Sequence, residues 1–327
     1  MKFLIAGLGS IGQRHLRNLI SLGEQDIILY RTNKGTLENK EFARFPVIYD
    51  LQTALDYKPD AVIISNPTAL HLDVAIPAAE AGCAILIEKP ISHSMDNIEK
   101  LKTTAQRSGV RILVGFQFRF HANLRRIAHI LNEKKIGDIV FVRAHYGEYL
   151  PAWHPWEDYR QSYSARADLG GGVIFTLCHP LDYLRWLIGD VEALWAFKGY
   201  RGGLNLQVED SAEIGLRFAN GVIGSVHLNY VQRPPSHTLE IIGTEGVIHW
   251  DYIQDIVTVC RGEVCDMPIV SPYTDIRNPM FLEEMRHFRA VVSGEEQPLC
   301  TLDDGIRTLE LALAVHESAN QGVIVRW

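Results

Sequence analysis

The first 120 residues alternate short apolar runs with segments of helical periodicity. The runs are apolar at successive positions, as strands buried on both faces are, and lie at 3–6, 27–30, 47–49, 61–64, 84–87 and 112–115. Helix-like segments lie between them, at 11–22, 70–81 and 95–108. Strands that alternate with helices predict an α/β fold with a doubly wound parallel sheet, which binds nucleotides at the carboxyl ends of its strands.

The pattern changes after Gln117. Apolar and polar residues alternate along 212–218 and 222–230, and Asn220-Gly221 lies close to the turn between them. Asn-Gly between alternating runs is the strongest short-range indication of a hairpin, and 238–242 and 247–252 form a similar pair. Helical patterns lie at about 173–188, 278–293 and 303–320. We therefore predict a C-terminal α+β domain with an open, largely antiparallel sheet, and domains at 1–118 and 119–327.

Composition narrows the classes of function. The 327 residues are 47% hydrophobic and 22% charged, with a net charge of −7. An acidic chain gives no reason to expect binding to nucleic acid or to an anionic membrane. No run approaches the roughly 18 apolar residues of a membrane span, and the first strand begins too early for a signal peptide. We therefore expect a cytoplasmic protein.

The five cysteines include no CxxC pair. Reduced thiols fit a cytoplasmic protein best, although Cys260 and Cys265 are near enough in sequence to meet across a turn. No metal site is predicted.

A glycine-rich segment follows the first strand and opens the first helix. In that context the glycines let the backbone approach a pyrophosphate, which rests on the helix N-terminus. A tight turn without a ligand is the alternative. The residues predicted to bind a dinucleotide are Gly7, Gly9, Ser10, Ile11 and Gly12.

The end of the second predicted strand bears on which dinucleotide binds. An NAD site usually has an acidic residue there, which accepts a hydrogen bond from the ribose 2′-hydroxyl. This strand ends instead in Tyr30-Arg31-Thr32-Asn33-Lys34. Since Arg31, Thr32 and Asn33 can all donate to a 2′-phosphate, we predict NADP(H). NAD(H), with Arg31 over the adenine, is the alternative.

A lysine fixed between a carboxylate and a proline, Glu88-Lys89-Pro90, follows the fifth predicted strand. That strand of a doubly wound sheet ends at the ligand crevice, so Lys89 should emerge beside the nicotinamide. An ammonium group there can hold a substrate hydroxyl and stabilise a developing alkoxide. An ordinary surface ion pair between Glu88 and Lys89 is the alternative.

Five segments of the chain resemble the glucose–fructose oxidoreductase, inositol dehydrogenase and rhizopine-catabolism (Gfo/Idh/MocA) family. They are GLGSIGQRH near the start, SNPTALH at 65–71, EAGCAILIEKP at 80–90, VGFQFRF at 114–120 and DLGGGVIFTLCHPLDYLRWLIG at 168–189. The resemblance covers nearly the whole chain. It implies a Rossmann domain followed by an α/β domain whose open sheet often serves oligomerisation. It also implies oxidation or reduction of a carbinol on a sugar, cyclitol or nucleotide sugar.

The resemblance also implies roles for single residues. Lys89 matches the active-site lysine, Glu88 its acidic neighbour, and His179 the histidine that acts as general base or acid. Asp182 matches the acid one turn later, and a helix would place His179 and Asp182 on one face. The other matching positions, at the dinucleotide or at the entry to the second domain, are Asn66, Pro67, His71, Gln117 and Arg119.

The sequence departs from the family pattern next to this histidine. Many members carry an aspartate about one turn before it, and the candidates here are Phe175 and Thr176. Neither is a carboxylate, so Asp182 takes over that role or His179 is a weaker base.

The segment WHPWEDYRQSYSAR, residues 153–166, is predicted to form a substrate wall. Aromatic faces such as those of Trp153 and Tyr159 can stack on a sugar ring. Arg160 or Arg166 can hold a carboxylate or a diphosphate bidentately.

An open sheet exposes one face unless a partner covers it, and large exposed apolar areas usually mark an interface. We therefore expect a homodimer or homotetramer through the C-terminal sheet, with outward residues such as Val226 or Leu228 at the contact.

Two functions remain open from the sequence. The first is an NAD(P)-dependent dehydrogenase or reductase, in which His179 exchanges the proton of a secondary hydroxyl and Lys89 steadies the oxygen. The second is a non-catalytic dinucleotide-binding regulator on the same fold. The intact lysine and histidine favour the enzyme, and we expect Lys89 and His179 to reach one substrate hydroxyl.

Overall fold

The computed structural model describes residues 1–32, 42–270 and 277–327. The chain divides into two compact units, residues 1–117 with 281–309 and residues 118–280 with 310–327. Residues 281–309 were assigned from the sequence to the second domain, and the structure instead groups them with the first. An amphipathic helix has the same pattern whichever unit it packs on, so the pattern did not reveal this return of the chain.

The described residues form nine α-helices. Their bounds are α1 (Ser10–Ser21), α2 (Leu51–Asp56), α3 (His71–Glu80), α4 (Ile98–Ser108), α5 (Ala122–Asn132), α6 (Val173–Thr176), α7 (His179–Ile188), α8 (Asn278–Ser293) and α9 (Leu302–Gln321).

The N-terminal unit contains a parallel sheet of six strands. They are β1 (Phe3–Ala6), β2 (Ile27–Tyr30), β3 (Val47–Ile48), β4 (Ala61–Ile64), β5 (Ala84–Glu88) and β6 (Ile112–Gly115). Their order across the sheet is β3-β2-β1-β4-β5-β6. β1, β4 and β6 are buried along their whole length, which explains why their sequences lack alternation. The predicted doubly wound sheet is confirmed.

The second unit contains a mixed, mostly antiparallel sheet. Its strands are β7 (Ile139–Tyr149), β8 (Val191–Gly199), β9 (Ser211–Phe218), β10 (Ile223–Asn229), β11 (Val231–Gly243), β12 (Val247–Asp251), β13 (Ile256–Arg261), β14 (Val264–Cys265), β15 (Ile269–Val270) and β16 (Val325–Arg326). The order is β14-β13-β12-β11-β7-β10-β9-β8-β16, with β15 paired to β13. β7 and β10 run parallel in the middle of the sheet. The predicted hairpins β9–β10 and β11–β12 are both present.

The two faces of this sheet differ in burial. Val226 and Leu228 on β10 are 0% exposed, so their prediction as outward contact residues was wrong. The apolar positions of an alternating strand face the core, and the phase assumed for β10 was reversed. The outer face instead exposes the apolar side chains of Trp195, Phe197 and Ile223.

Cys260 and Cys265 lie opposite each other on β13 and β14 and are joined by a disulfide bond. Cys83, Cys178 and Cys300 are buried thiols. No helix in the described part of the chain has the length and apolar character needed to span a membrane. Among the same residues, no cluster of three or more His, Cys, Asp or Glu side chains has the arrangement of a metal site.

Candidate active site

The glycine turn between β1 and α1 is packed too closely for side chains. Gly7 has a φ of +97°, and a Cβ atom there would lie 2.6 Å from the backbone nitrogen of Asn66. A Cβ atom on Gly12 would lie 2.1 Å from the carbonyl oxygen of Gly7. Gly9 differs, because no described atom lies within 4 Å of its Cβ position. Gly7 and Gly12 therefore serve the packing, whereas Gly9 leaves room for a phosphate group.

The N-terminus of α1 provides the complement to that opening. α1 begins at Ser10, which is followed by Ile11. No side-chain hydrogen bond caps its N-terminus, and its first turn contains no acidic residue. The N–H groups of the first turn therefore keep their positive potential toward an approaching anion. Open space at Gly9 and an uncapped helix start fit the pyrophosphate of a dinucleotide.

The residues predicted to contact the 2′ position follow the end of β2. The backbone N–H of Arg31 donates to the carbonyl of Ile48, with a nitrogen–oxygen distance of 3.0 Å. Arg31 is half-buried and Thr32 is exposed. Asn33 lies outside the described residues. No carboxylate occurs at residues 30–32, so this turn offers cationic and hydroxyl donors in place of the usual acid.

His71 joins the turn after β4 to the proline that follows Lys89. Its Nδ1 lies 3.0 Å from the carbonyl oxygen of Pro90, and its Nε2 lies 2.9 Å from that of Asn66. Burial lowers the pKa of His71 to about 4, although both carbonyl groups act in the opposite direction. Pro67 precedes a short helical turn here, and the side chain of Asn66 donates to the carbonyl of Leu70. His71 therefore positions two turns rather than exchanging protons.

The Lys89 turn is anchored by a buried carboxylate. Glu88 is 7% exposed at the end of β5. Its Oε1 lies 2.7 Å from Nε2 of His15, and its Oε2 accepts from the backbone N–H of Lys89 at 3.3 Å. Burial alone would raise the pKa of Glu88, but the hydrogen bond and charge of His15 and the charge of Lys89 hold it below its usual value. An ionised Glu88 thus stands directly behind the half-buried Lys89.

His179 is the first residue of α7 and is 3% exposed. Pro180 follows it at the helix start, where a proline is favoured because its missing N–H needs no partner. The ring of Phe118 meets the imidazole edge-on, with ring centres 4.9 Å apart, and the ring of Tyr146 lies 6.3 Å away. Aromatic rings therefore fix the position of the imidazole.

Asp182 lies one turn after His179 on α7 and forms a buried ion pair with Arg119. Its carboxylate oxygens accept from Nε and Nη2 of the guanidinium at 3.0 and 2.7 Å. Asp182 is 1% exposed and Arg119 is 3% exposed. In such a bidentate pair, each charged group is neutralised by the other. We therefore interpret Asp182 first as the counter-ion of Arg119, in contrast to the expected roles of Asp182 in catalysis and Arg119 in substrate binding.

A carboxylate that the sequence did not indicate lies beside Tyr146, whose ring is a neighbour of the His179 imidazole. Phe175 and Thr176 are both buried on α6, and neither supplies the missing charge. On β7 the hydroxyl of Tyr146 is 3.5 Å from Oε1 of Glu148. Burial raises the pKa of Tyr146, and the Glu148 charge acts in the same direction. Residues two apart on a strand point to the same side of the sheet. The spacing of Tyr146 and Glu148 is therefore the pattern from which the sequence could have paired them.

Two aromatic residues of segment 153–166 contact other residues of the second unit. The ring of Trp153 packs edge-on against Tyr230, with centres 5.7 Å apart. The hydroxyl of Tyr159 donates to the carbonyl of Leu204 at 3.0 Å. Both residues are half-buried, so each presents only part of its ring.

The two arginines of the segment are exposed and paired with neighbouring carboxylates. Nε and Nη2 of Arg160 donate to Asp158 at 2.8 and 2.9 Å. Arg166 makes a similar pair with Asp168. An anionic substrate group would compete with these aspartates, and the substrate role of both arginines stays a prediction.

The predicted site residues belong to both units. Lys89 and the buried Gln117 lie in the first unit, whereas His179 and segment 153–166 lie in the second. The common site expected for Lys89 and His179 therefore stays a prediction.

Comparison with known proteins identifies the family. Residues 1–116 match the model described as "Oxidoreductase family, NAD-binding Rossmann fold", and residues 124–249 match that of the GFO/IDH/MocA C-terminal domain. The scyllo-inositol 2-dehydrogenase (NAD(+)) of Bacillus subtilis is 26% identical over 336 residues, 98% of this chain and 95% of that protein. The 1,5-anhydro-D-fructose reductase of Ensifer adhaerens is 27% identical over 271 residues, 80% of this chain and 78% of that protein.

Among solved structures, levoglucosan dehydrogenase in complex with NADH and levoglucosan is similar in fold. The TM-score is 0.86 at 22% identity, and the alignment covers 100% of this chain and 99% of that one. The two family models together span most of this chain. The chain therefore belongs to the Gfo/Idh/MocA family of oxidoreductases, with an NAD-binding Rossmann domain followed by the C-terminal domain of that family.

Proposed function

We propose that this oxidoreductase transfers hydride between a nicotinamide dinucleotide and a secondary hydroxyl, or its ketone, on a sugar, cyclitol or nucleotide sugar. The observation that carries the proposal is the ionised Glu88 that anchors the Lys89 turn at the carboxyl end of β5. This turn belongs to the same unit as the glycine turn. The relatives support the substrate class, since their names describe an inositol dehydrogenase and an anhydrofructose reductase.

The residues that would hold the dinucleotide are those of the glycine turn, the end of β2 and the turn after β4. The bound nicotinamide would supply the hydride acceptor or donor. In the oxidation, the hydroxyl proton passes to the His179 imidazole as the carbon loses hydride. The ammonium group of Lys89 stabilises the oxygen while negative charge develops on it. In the reduction, His179 returns the proton to the same oxygen.

The cofactor preference that we propose is NADP(H) over NAD(H). Arg31 and Thr32 stand at the end of β2, where an NAD site usually has a carboxylate. A guanidinium group pairs well with a 2′-phosphate, because it is planar and always charged.

The assembly that we propose is a dimer or tetramer through the outer face of the second sheet. That face exposes Trp195 at 42%, Phe197 at 69% and Ile223 at 52%. Farther along the same face, charged residues that include Arg143, Glu240 and Asp251 line a groove of about 490 Å³. Apolar and charged patches on one exposed face are typical of a protein–protein interface.

Turnover of the free enzyme tests the proposed function. Nucleotide sugars, inositols and free aldoses would each be offered with NADP+ and NAD+, and formation of reduced nicotinamide would be followed by absorbance. We expect turnover with at least one class and a higher kcat/KM with NADP+. Tight binding of NADPH without turnover in either direction would contradict the enzyme and favour a dinucleotide-binding regulator.

A further inference from the structure

A buried cluster of ionisable side chains lies behind the Lys89 turn, within the N-terminal unit. His15 is on α1, Glu88 ends β5 and Glu284 is on α8, and their exposures are 0%, 7% and 0%. His15 and Glu88 are in contact at 2.7 Å. Glu88 also accepts from the backbone N–H of Lys89. One carboxylate therefore joins the dinucleotide-binding helix to the lysine turn.

Glu284 reaches this cluster from α8. Phe281, one turn earlier on α8, packs against the His15 ring, with ring centres 6.2 Å apart and planes at 74°. Residues three apart lie on the same face of a helix, so Glu284 also faces α1. Neither carboxyl oxygen of Glu284 has a hydrogen-bond partner among the described residues, and the same holds for Nδ1 of His15. The cluster therefore contains buried polar atoms that the rest of the fold does not explain.

The pKa values of the two carboxyl groups in the cluster, Glu88 and Glu284, are shifted in opposite directions. Burial raises the pKa of Glu284 well above its usual value, and the neighbouring Glu88 carboxylate raises it further. Glu88 keeps a lowered pKa, since the favourable contributions of His15 and Lys89 outweigh burial. When two carboxyl groups share a site, one of them stays protonated. The charge that acts on Glu284 is that of Glu88 from β5. Glu88 in turn contacts His15 from α1 and the backbone N–H of Lys89 in the following turn.

We propose that Glu284 is a positioning residue, a buried neutral carboxyl group that, together with His15, holds the Glu88 carboxylate and thereby the turn presenting Lys89. The inference rests on the proposed function, in which Lys89 acts on the substrate oxygen. A protonated carboxyl group can donate a hydrogen bond, which an apolar side chain cannot. Glu284 therefore acts through Glu88 and does not touch the substrate.

Two substitutions of similar size separate this role from simple packing. Glu284→Gln keeps a neutral group with a donor, whereas Glu284→Met fills the space without one. We expect the Gln variant to keep kcat within about twofold. We expect the Met variant to lose about tenfold, the effect of one hydrogen bond of about 1.4 kcal/mol, with NADP(H) affinity unchanged in both.

The matched control is Glu283→Gln, the same change one position earlier, where Glu283 pairs with Arg286 at the surface. It should leave kcat unchanged. Equal activity of the Met and Gln variants would show that Glu284 only fills space, and would overturn the proposal.

Thermal unfolding between pH 5 and pH 9 tests the neutral charge of Glu284 without any substrate. A carboxyl group whose folded pKa lies above its unfolded value contributes stability that is lost as the pH rises. The melting temperature of the wild type should therefore fall relative to Glu284→Gln by at least about 2 °C across this range. A wild-type melting temperature that stays parallel to that of Glu284→Gln across this range, or that falls relative to it as the pH is lowered, would show that Glu284 is charged and would overturn the proposal.

The two readouts keep the inferences apart. Absence of turnover in the wild type would contradict the proposed function, and with it the positioning role. The melting curves decide the protonation of Glu284 in either case.

Discussion

The surroundings of Asp182 determine which single residues can assist His179. Both oxygens of this carboxylate accept from Arg119 in a pair that is almost fully buried. A buried ion pair that loses one partner leaves the other charge uncompensated, which typically destabilises by 3–5 kcal/mol. Stability therefore depends strongly on Asp182, whereas support for His179 has another candidate in Glu148.

Replacing Asp182 with Asn should lower the free energy of unfolding by about 3–5 kcal/mol, because Arg119 stays charged and buried. The pH dependence of kcat should stay in place. The control is Asp158→Asn, which breaks the exposed bidentate pair with Arg160 and should change stability by less than about 1 kcal/mol. Denaturant titration and pH–rate profiles measure both effects. A displaced pH optimum with little loss of stability would show that Asp182 supports His179 after all.

Replacing Arg31 with Asp should reverse the cofactor preference. Loss of a charged hydrogen-bond donor to the 2′-phosphate should weaken NADPH binding by roughly ten- to a hundredfold, and the new carboxylate can accept from the 2′-hydroxyl of NADH. Arg107→Asp, the same charge change at an exposed position of α4, is the control. Fluorescence titration gives the affinities. Wild-type binding of NADH as tight as that of NADPH would refute the assignment.

At the scale of elements, the sequence predicted those whose pattern is local. β1, β4 and β6 are apolar throughout because both of their faces are buried, and Asn220-Gly221 indicated the β9–β10 hairpin. β7 was not predicted as a strand. Its outer face carries polar residues, and its partners β10 and β11 lie far along the chain.

The segment 173–188 was predicted as one helix and forms two. Proline disfavours a helical residue before it and cannot donate within a helix, so Pro180 favours a new helix start over a continuous helix. His179 consequently stands at the beginning of α7.

The site was predicted as a set of residue types and not as a set of contacts. The glycine turn, Lys89 and His179 were predicted from motifs, because each motif lies within one short segment of the chain. The Arg119–Asp182 pair and the His15–Glu88–Glu284 cluster join segments that are distant in sequence. No periodicity within one segment carries that information.

The buried imidazole of His71, which contacts the carbonyl groups of two turns, should make the stability of the protein depend on pH. The folded pKa of about 4 lies below the ordinary value of 6.5, so the folded state binds fewer protons than the unfolded state. The stabilising contribution is complete above pH 6.5 and is lost as the pH falls toward 4, by up to about 3 kcal/mol. His71→Gln, which does not titrate, should flatten this decline.

The stability–pH curve of His71→Gln is compared with that of the wild type, because other buried histidines with lowered pKa values also reduce stability as the pH falls. His129→Gln, at an exposed position of α5, is the control and should leave the curve unchanged. Parallel stability–pH curves for wild type and His71→Gln between pH 4 and pH 7 would contradict the role of His71.

At the scale of the whole molecule, the outer face of the second sheet should govern assembly. Exposed aromatic and aliphatic side chains on an open sheet favour burial against another copy of the chain. We expect a dimer or tetramer by light scattering at micromolar concentration. Phe197→Glu combined with Ile223→Glu should dissociate it while both units stay folded, because charge is depleted from interface cores.

Tyr57→Glu, a comparable change at an exposed position of the N-terminal unit, is the control for that experiment. It should leave the mass unchanged. A wild-type monomer would refute the proposed assembly.

The central claim is that Lys89 and His179 act on one substrate hydroxyl, although they belong to different units. A double-mutant cycle of kcat/KM with Lys89→Ala, His179→Ala and the double variant tests it most directly. Each single variant should lose about 10²–10⁴-fold with dinucleotide affinity within about threefold, and the double variant should be about as slow as the slower single variant, because groups that act as a unit are not additive. Single variants with nearly wild-type rates, or losses that multiply fully, would contradict the account.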